Sequence, residues 1–420
     1  MDIFSRFKKD YLNYLLSIIL PALITGAFIP ILKRTLGAEL YGQYAIFFYA
    51  ALLCSSILSG WLVQSVLLFY NFYQDKELFV RNVFKFFWKS QLIILLPMII
   101  TVFIFTGSLI DSFLFFLITL VCSLQSVGLS IIQISKKSAK NIYSELIRSV
   151  LYLIAWLLFY FVLGINNLYV LYSCIIVSYT VSIAYIYKQI NVPVFLQAKT
   201  EMGEQKELFK KFLDYGGPFS LWYIFSYLLS YIDKIFILKT FGAEMQGNYQ
   251  AIFDMLSKTI VLALSPILTT LFPLLAEAYT LNQKETIKKT LYRIILLELI
   301  LMVACCVCYW LFGATILFSI LKIPSIILYK QMGLIVILGT FVFQIAMVAH
   351  KYFELKRMSK LLLSIVILAF VIQLVVYLLL GGAKTPLLYP AGYFVAASIY
   401  LLFVVYFIKR KINAFPEKHF

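Results

Sequence analysis

The chain alternates between long apolar runs and short polar connections. A transmembrane helix needs about 20 consecutive apolar residues. Read with that window, the sequence predicts twelve spans, at 11–32, 43–70, 86–107, 112–134, 144–164, 167–188, 215–238, 250–274, 291–313, 330–350, 361–381 and 388–408. The segment 314–329 is also apolar, but it is short and carries Lys322 and Pro324, so it is expected to be an interfacial or re-entrant piece. The first run is long enough to span, and no small-residue cleavage site follows a short core. It is therefore expected to stay as a span and not to leave as a signal peptide.

The pattern is doubled. Thr35-Leu36-Gly37-Ala38-Glu39-Leu40-Tyr41-Gly42-Gln43-Tyr44 returns 205 residues later as Thr240-Phe241-Gly242-Ala243-Glu244-Met245-Gln246-Gly247-Asn248-Tyr249, with six of ten positions identical. Each copy lies between two spans. Two related membrane halves joined end to end are a common plan among transporters. Gly37, Gly42, Gly242 and Gly247 fit tight connections between spans, and Glu39 and Glu244 fit a role in capping a helix or locking the turn.

Composition agrees with lipid as the solvent. Hydrophobic residues make up 63% of the 420 and charged residues 13%, against roughly half and a quarter in soluble domains. The net charge of +17 would suit nucleic acid, but its distribution argues otherwise. With the N-terminus in the cytoplasm, 28 of the 36 Lys and Arg fall in inside segments and adjoining span ends, six fall outside, and Lys234 and Lys258 lie within spans. That asymmetry is the positive-inside rule. It predicts twelve spans with both termini cytoplasmic, and no nucleic-acid partner is needed to explain the charge.

Six spans per half place both halves in the membrane in the same orientation. The expected architecture is an all-α polytopic membrane protein: about 12 transmembrane helices in two parallel six-helix bundles around a central cavity. The division is 1–188 for the N-terminal bundle, 189–214 for a cytoplasmic linker with a short surface helix, and 215–420 for the C-terminal bundle. No outside loop is large enough to be a domain, which argues against membrane glycosyltransferases and polymerases that work in an exported loop.

Polar atoms inside spans mark where function is to be sought. Trp222, Ser226, Ser230 and Asp233 are spaced 4, 4 and 3, on one helical face. Adjacent Asp233 and Lys234 point about 100° apart on a helix, so one is expected toward a cavity and the other toward a neighbouring helix or, for Lys234, the outer interface. Asp254 and Lys258 can pair at i,i+4, either as a structural ion pair or as a cavity site for an anionic headgroup or a coupling cation. Lys33 and Arg34 close the first span, as interfacial anchors or as a basic rim at a cavity mouth. Glu298 stands in an otherwise apolar span and is a candidate protonatable coupling site, as is Asp233. His350 is expected at the interface. The six cysteines lie in apolar runs, and Cys305-Cys306-Val307-Cys308 has no second ligand pair nearby, so no metal site is expected.

The two histidines, His350 and His419, leave no room for a Ser/His/Asp arrangement, and no G-x-x-x-x-G-K-[ST] loop is present. The chain is not expected to be an enzyme or to hydrolyse ATP by that route. No cofactor is expected beyond H+ or Na+ coupling.

These residues carry a family resemblance. The Pro-interrupted first span followed by Lys33-Arg34-Thr35-Leu36-Gly37-Ala38-Glu39-Leu40-Tyr41-Gly42-Gln43-Tyr44 resembles the start of bacterial polysaccharide transport proteins. Asp233-Lys234 followed by Phe241 through Tyr249 is similar to the opening of their second half. These are the O-antigen and capsule repeat-unit flippases of the multidrug/oligosaccharidyl-lipid/polysaccharide exporter (MOP) superfamily, and the resemblance runs along essentially the whole chain. It implies a V-shaped pair of six-helix bundles in the bacterial inner membrane, moving an undecaprenyl-diphosphate-linked oligosaccharide outward by alternating access. Membrane lipids, a polysaccharide polymerase and a chain-length regulator are the implied partners. A diphosphate leaving water is stabilised by cations in a low-dielectric vestibule. Lys258 is the first choice for that contact, followed by Arg34 and Lys33, with Asp254, Asp233 and Lys234 beside them. A multidrug or cation antiporter of the same superfamily is the rival, and a membrane glycan polymerase is a more distant one.

Overall fold

The computed structural model describes residues 3–135, 138–190, 202–281, 283–324, 327–356, 358–380 and 385–412. Among them there is no strand. The helices are α1 (Ile3–Phe69), α2 (Lys76–Thr106), α3 (Leu109–Ile134), α4 (Ser138–Leu157), α5 (Leu168–Ile190), α6 (Met202–Leu229), α7 (Ile232–Phe253), α8 (Thr259–Thr280), α9 (Lys284–Thr315), α10 (Ile327–Leu355), α11 (Ser359–Leu380) and α12 (Leu388–Ile412). A backbone in hydrocarbon has no water to bond, so helices are the form that satisfies it.

Ten continuous runs among the described residues are long and apolar enough to cross a membrane. The two longest, Gly26–Phe69 and Gln205–Ser265, each reach across parts of two predicted spans. Inside them sit Gly37 (φ 80°, ψ 172°) and Gly242 (φ 86°, ψ 175°), the matched first glycines of the repeat. That backbone region is essentially restricted to glycine, so α1 and α7 are each two helices joined at one glycine.

The second glycines of the repeat do something else. A β-carbon at Gly42 would overlap the Gln246 Oε1 and stand 3.1 Å from the Gly247 Cα. One at Gly247 would overlap the Ala38 carbonyl oxygen, with its carbon at 2.6 Å. The two copies of the repeat therefore pack backbone to backbone, the small-residue contact that membrane helices use for close approach.

The chain divides into two compact units. One comprises Met1–Gly42 with Leu228–Phe420, the other Gln43–Tyr227. The sequence division follows the duplication, whereas this grouping follows contact. It cuts α1 just after its Gly37 break and cuts α6 just before its end. The first unit has an apolar seam of α8, α9 and α10, with Leu264, Ile267, Leu271, Ile294, Ile337 and Phe341 buried. The second packs Trp61, Phe79, Phe84, Phe87, Val127 and Phe212. Outward faces carry exposed apolar side chains, such as Leu92, Ile93 and Leu96 on α2 and Val303, Val307 and Trp310 on α9, as lipid contact requires.

Several connections differ from the sequence expectation. The segment 314–329 is not a separate re-entrant element. α9 runs to Thr315 and continues as a π-turn over Ile316–Ile320, and α10 begins at Ile327. Of the linker, 191–201 lie outside the described residues. From Met202 the expected surface helix continues unbroken into the seventh span as α6. Pro97 and Pro218 lie inside helices that carry on past them.

Candidate functional site

The seventh span is broken without a proline or glycine at the break. α6 stops at Leu229, Ser230 and Tyr231 form a turn, and α7 restarts at Ile232. Trp222, Ser226, Ser230 and Asp233 therefore do not share one helical face. The break releases carbonyl groups that need donors. Gln373 Nε2 donates to the Leu229 oxygen at 2.9 Å, and Lys234 Nζ donates to the Ser230 oxygen.

Asp233 and Lys234 sit in the first turn of α7, 0% and 2% exposed. They pair, with Nζ 3.1 Å from Oδ1, although neighbours on a regular helix diverge. The long lysine stem folds back over the start of the restarted helix, toward the same break that Asp233 flanks. Lys234 thus does not reach the outer interface. Asp233 Oδ1 also accepts the Lys234 backbone N–H at 2.8 Å, and its Oδ2 accepts the Tyr249 hydroxyl. The Lys234 ammonium lies 3.4 Å from the centre of the Phe253 ring, a cation–π contact.

The eighth span supplies the second pair. Asp254–Lys258 is a π-turn inserted between α7 and α8, a deformation often found at functional sites. Lys258 Nζ is 3.2 Å from Asp254 Oδ1, the expected i,i+4 pair. Asp254 Oδ2 accepts the Tyr41 hydroxyl at 2.6 Å. Lys234 and Asp254 also interact electrostatically, so two Asp, two Lys, Tyr41 and Tyr249 form one polar network within the first unit. Within that network Lys258 is the part-exposed member, with 35% of its side chain accessible, while Asp254 is buried. The network thus presents one cation outward, while its two Asp and two Lys together sum to zero.

Sequence reading missed Tyr41 and Tyr249. Both belong to the repeat, which was read as a connection. Tyr249 matches Tyr44, which instead lies against Tyr172 and Phe48. The available signal was the asymmetry: Phe28 occupies the position matching Asp233, so only the second copy has a carboxylate for its tyrosine to hold.

The other candidates fall outside this network. Arg34 donates to the carbonyls of Ser319 at 2.6 Å and Ile320 at 2.9 Å, and Lys33 Nζ donates to the Lys322 carbonyl at 3.2 Å. Both cap the carbonyl end of the π-turn after α9, where cations are favoured. Glu39 and Glu244 are exposed. Glu298 is fully buried in α9 and takes part in neither Asp–Lys pair. His350 is buried, not interfacial, between the Tyr400 hydroxyl at 2.8 Å and Glu354 at 2.9 Å.

A second polar cluster lies in the other unit. Arg148 pairs with Glu145 at 2.5 Å, Gln125 Nε2 donates to Glu145 Oε1 at 2.9 Å, and Arg148 stacks 5.0 Å from the Tyr179 ring centre. Arg148 is one of the 28 basic residues counted in inside segments and span ends, and nothing else in the sequence singles it out. The structure ties it to α3 and α5.

Comparison with known proteins places this architecture. A variant of the MATE transporter VcmN from Vibrio cholerae has a similar fold, with a TM-score of 0.75 at 13% identity over 98% of each chain. An inward-facing multidrug resistance MATE family transporter of the MOP superfamily gives 0.73 at 13% over 99% of each. A MOP superfamily transporter from Pyrococcus furiosus, described as having a binding pocket of reversed polarity that suggests a different function, gives 0.71 at 13%, covering 99% of this chain and 97% of that one. No curated protein sequence matches the chain significantly. The chain is thus a multi-pass membrane protein built on the transporter fold of the MOP superfamily. It belongs to the family of polysaccharide biosynthesis proteins, whose model matches residues 7–279.

Proposed function

We propose that this protein is a flippase. It carries undecaprenyl-diphosphate-linked oligosaccharide repeat units, of O-antigen or capsule type, across the bacterial inner membrane by alternating access, with both termini cytoplasmic. The observation that carries this reading is the family match over residues 7–279, which includes the whole Asp–Lys network. The network's polarity supports it. Lys258 is accessible while its partner Asp254 is buried, so an incoming phosphate meets an ammonium first. At an effective dielectric near 20, a unit charge pair about 4 Å apart is worth roughly 4 kcal/mol, enough to hold a headgroup without trapping it.

The Asp233–Lys234 pair serves as the fixed base of this site. The polymerase and chain-length regulator that use the exported units are its proposed partners, alongside membrane lipids. No cofactor is required, and coupling is to an ion gradient.

Deletion of the gene tests the reading. Lipid-linked repeat units should accumulate facing the cytoplasm and surface glycan should fall, with restoration by the wild-type gene. Unchanged surface glycan would refute it. The MATE-like fold supports one alternative, an organic-cation antiporter. That reading predicts raised sensitivity to cationic drugs in the deletion strain with surface glycan intact.

A further inference from the structure

Helices α9 and α10 form an antiparallel pair whose register is set by Tyr309 over Gly333. A β-carbon at Gly333 would overlap the Tyr309 hydroxyl and stand 2.6 Å from Cζ. On α9, Leu291, Ile294, Met302, Cys305 and Tyr309 belong to the shared apolar cluster, and their spacing of three to eight residues marks one stripe. Glu298 falls on that stripe, four residues before Met302. On α10, Ile337, Phe341 and Val348 form the facing stripe, and Gln344 falls on it. Counting outward from Tyr309 and Gly333, each eleven residues along, brings Glu298 and Gln344 to the same level.

Both are orphaned. Glu298 is 0% exposed, and neither of its carboxyl oxygens has a hydrogen-bond partner among the described residues. The Gln344 Oε1 is likewise buried without a partner. Charged groups of the packed helices stand elsewhere. Arg293 is five residues back on α9, Lys258 precedes α8, and Lys330, Lys351 and Glu354 lie toward the ends of α10, with His350 beside them. The other titratable groups on this seam are Cys305, Cys306 and Tyr309, and Tyr279 closes α8. Among the described residues no ion pair reaches Glu298.

An isolated carboxylate without water or a cation is too costly to persist in such a place. One proton removes the charge and also supplies the missing donor, because a carboxylic acid O–H can bond the Gln344 oxygen. We propose that Glu298 is a proton-binding station, held as the acid and bonded to Gln344 while α9 and α10 are closed. When the seam opens to water the acid releases its proton and becomes a carboxylate. Closure requires a proton to be taken up again, so each cycle of the seam releases one proton and rebinds one, and moves one across the membrane when release and uptake face opposite sides. That coupling role rests on the transport reading above, whereas the protonated acid does not.

Infrared difference spectroscopy on the purified protein in nanodiscs tests the station. Wild type should show the carbonyl stretch of a buried carboxylic acid that is missing in Glu298→Gln. In Gln344→Leu the same band should move to higher frequency as the hydrogen bond is lost. Should Glu298→Gln fail to fold, carbon-13 glutamate in the wild type must shift the band. Absence of that band would overturn the proposal, and would mean an ionised Glu298 served by the Gln344 amide N–H. In proteoliposomes, glycan movement by wild type should follow an imposed proton gradient, and that response should vanish in Glu298→Gln. A response unchanged in the variant would overturn the coupling. An acid band together with no glycan movement would sink the flippase reading and leave the station standing.

Discussion

Asp233→Asn isolates the buried pair at the break. The substitution keeps the shape of the side chain and removes its charge. Lys234 remains 2% exposed, with the Ser230 carbonyl and the Phe253 ring but without the carboxylate charge now 3.1 Å away. Breaking one side of a buried pair costs about 3–5 kcal/mol, because the remaining charge is stranded. At roughly 2 °C per kcal/mol for large domains, the melting temperature should fall by roughly 6–10 °C. The double variant Asp233→Asn/Lys234→Met removes both charges and should recover most of that loss. The assay is thermal unfolding of wild type, both single variants and the double variant in the same lipid. An undiminished Asp233→Asn, or a double variant that merely adds the two single losses, would show that the pair is not coupled as described.

Three further outcomes follow from other contacts. Gly247→Ala drives a methyl into the Ala38 backbone and should lower the yield of folded protein sharply, whereas Ala38→Gly should be tolerated; size-exclusion profiles of the two compare them directly. Tyr41→Phe takes a donor from buried Asp254 and should cost about 1–3 kcal/mol, seen as a lower melting temperature with normal expression. Arg34→Ala removes an exposed cap on the α9 end; it should cost about 1 kcal/mol or less and leave transport near wild type. A transport loss as deep as that of Lys258→Ala would return Arg34 to the site.

The sequence was most readable where the bilayer dictates it. Twelve runs, their basic flanks and the doubled motif follow from lipid thickness and charge asymmetry. Gly37 and Gly242 were also readable, since a repeated glycine at a connection points to a backbone only glycine adopts. The break at Ser230–Tyr231 was not. Neither residue is a helix breaker, whereas Pro218, which is one, sits inside a continuous helix. The break rests on a tertiary donor, Gln373, 144 residues away, together with the Lys234 side chain folded back on Ser230, and local propensity does not encode the first. Asp254–Lys258 was visible at i,i+4, but its partner Tyr41 lies 213 residues away and is one of 30 tyrosines. The partners of Lys33 and Arg34 were hidden for the same reason: a basic pair closing a span looks alike whether it faces solvent or the carbonyls of a distant helix end.

The central claim is that the accessible ammonium of Lys258 receives the diphosphate of a lipid-linked glycan. The most direct measurement is movement of undecaprenyl-diphosphate-linked oligosaccharide between leaflets of proteoliposomes holding wild type, Lys258→Ala or Lys258→Arg, at matched amounts of folded protein. The account predicts movement by wild type, a loss of at least about tenfold in Lys258→Ala, corresponding to about 1.4 kcal/mol, and a milder loss in Lys258→Arg. Equal rates for all three, or no movement by wild type, would contradict it.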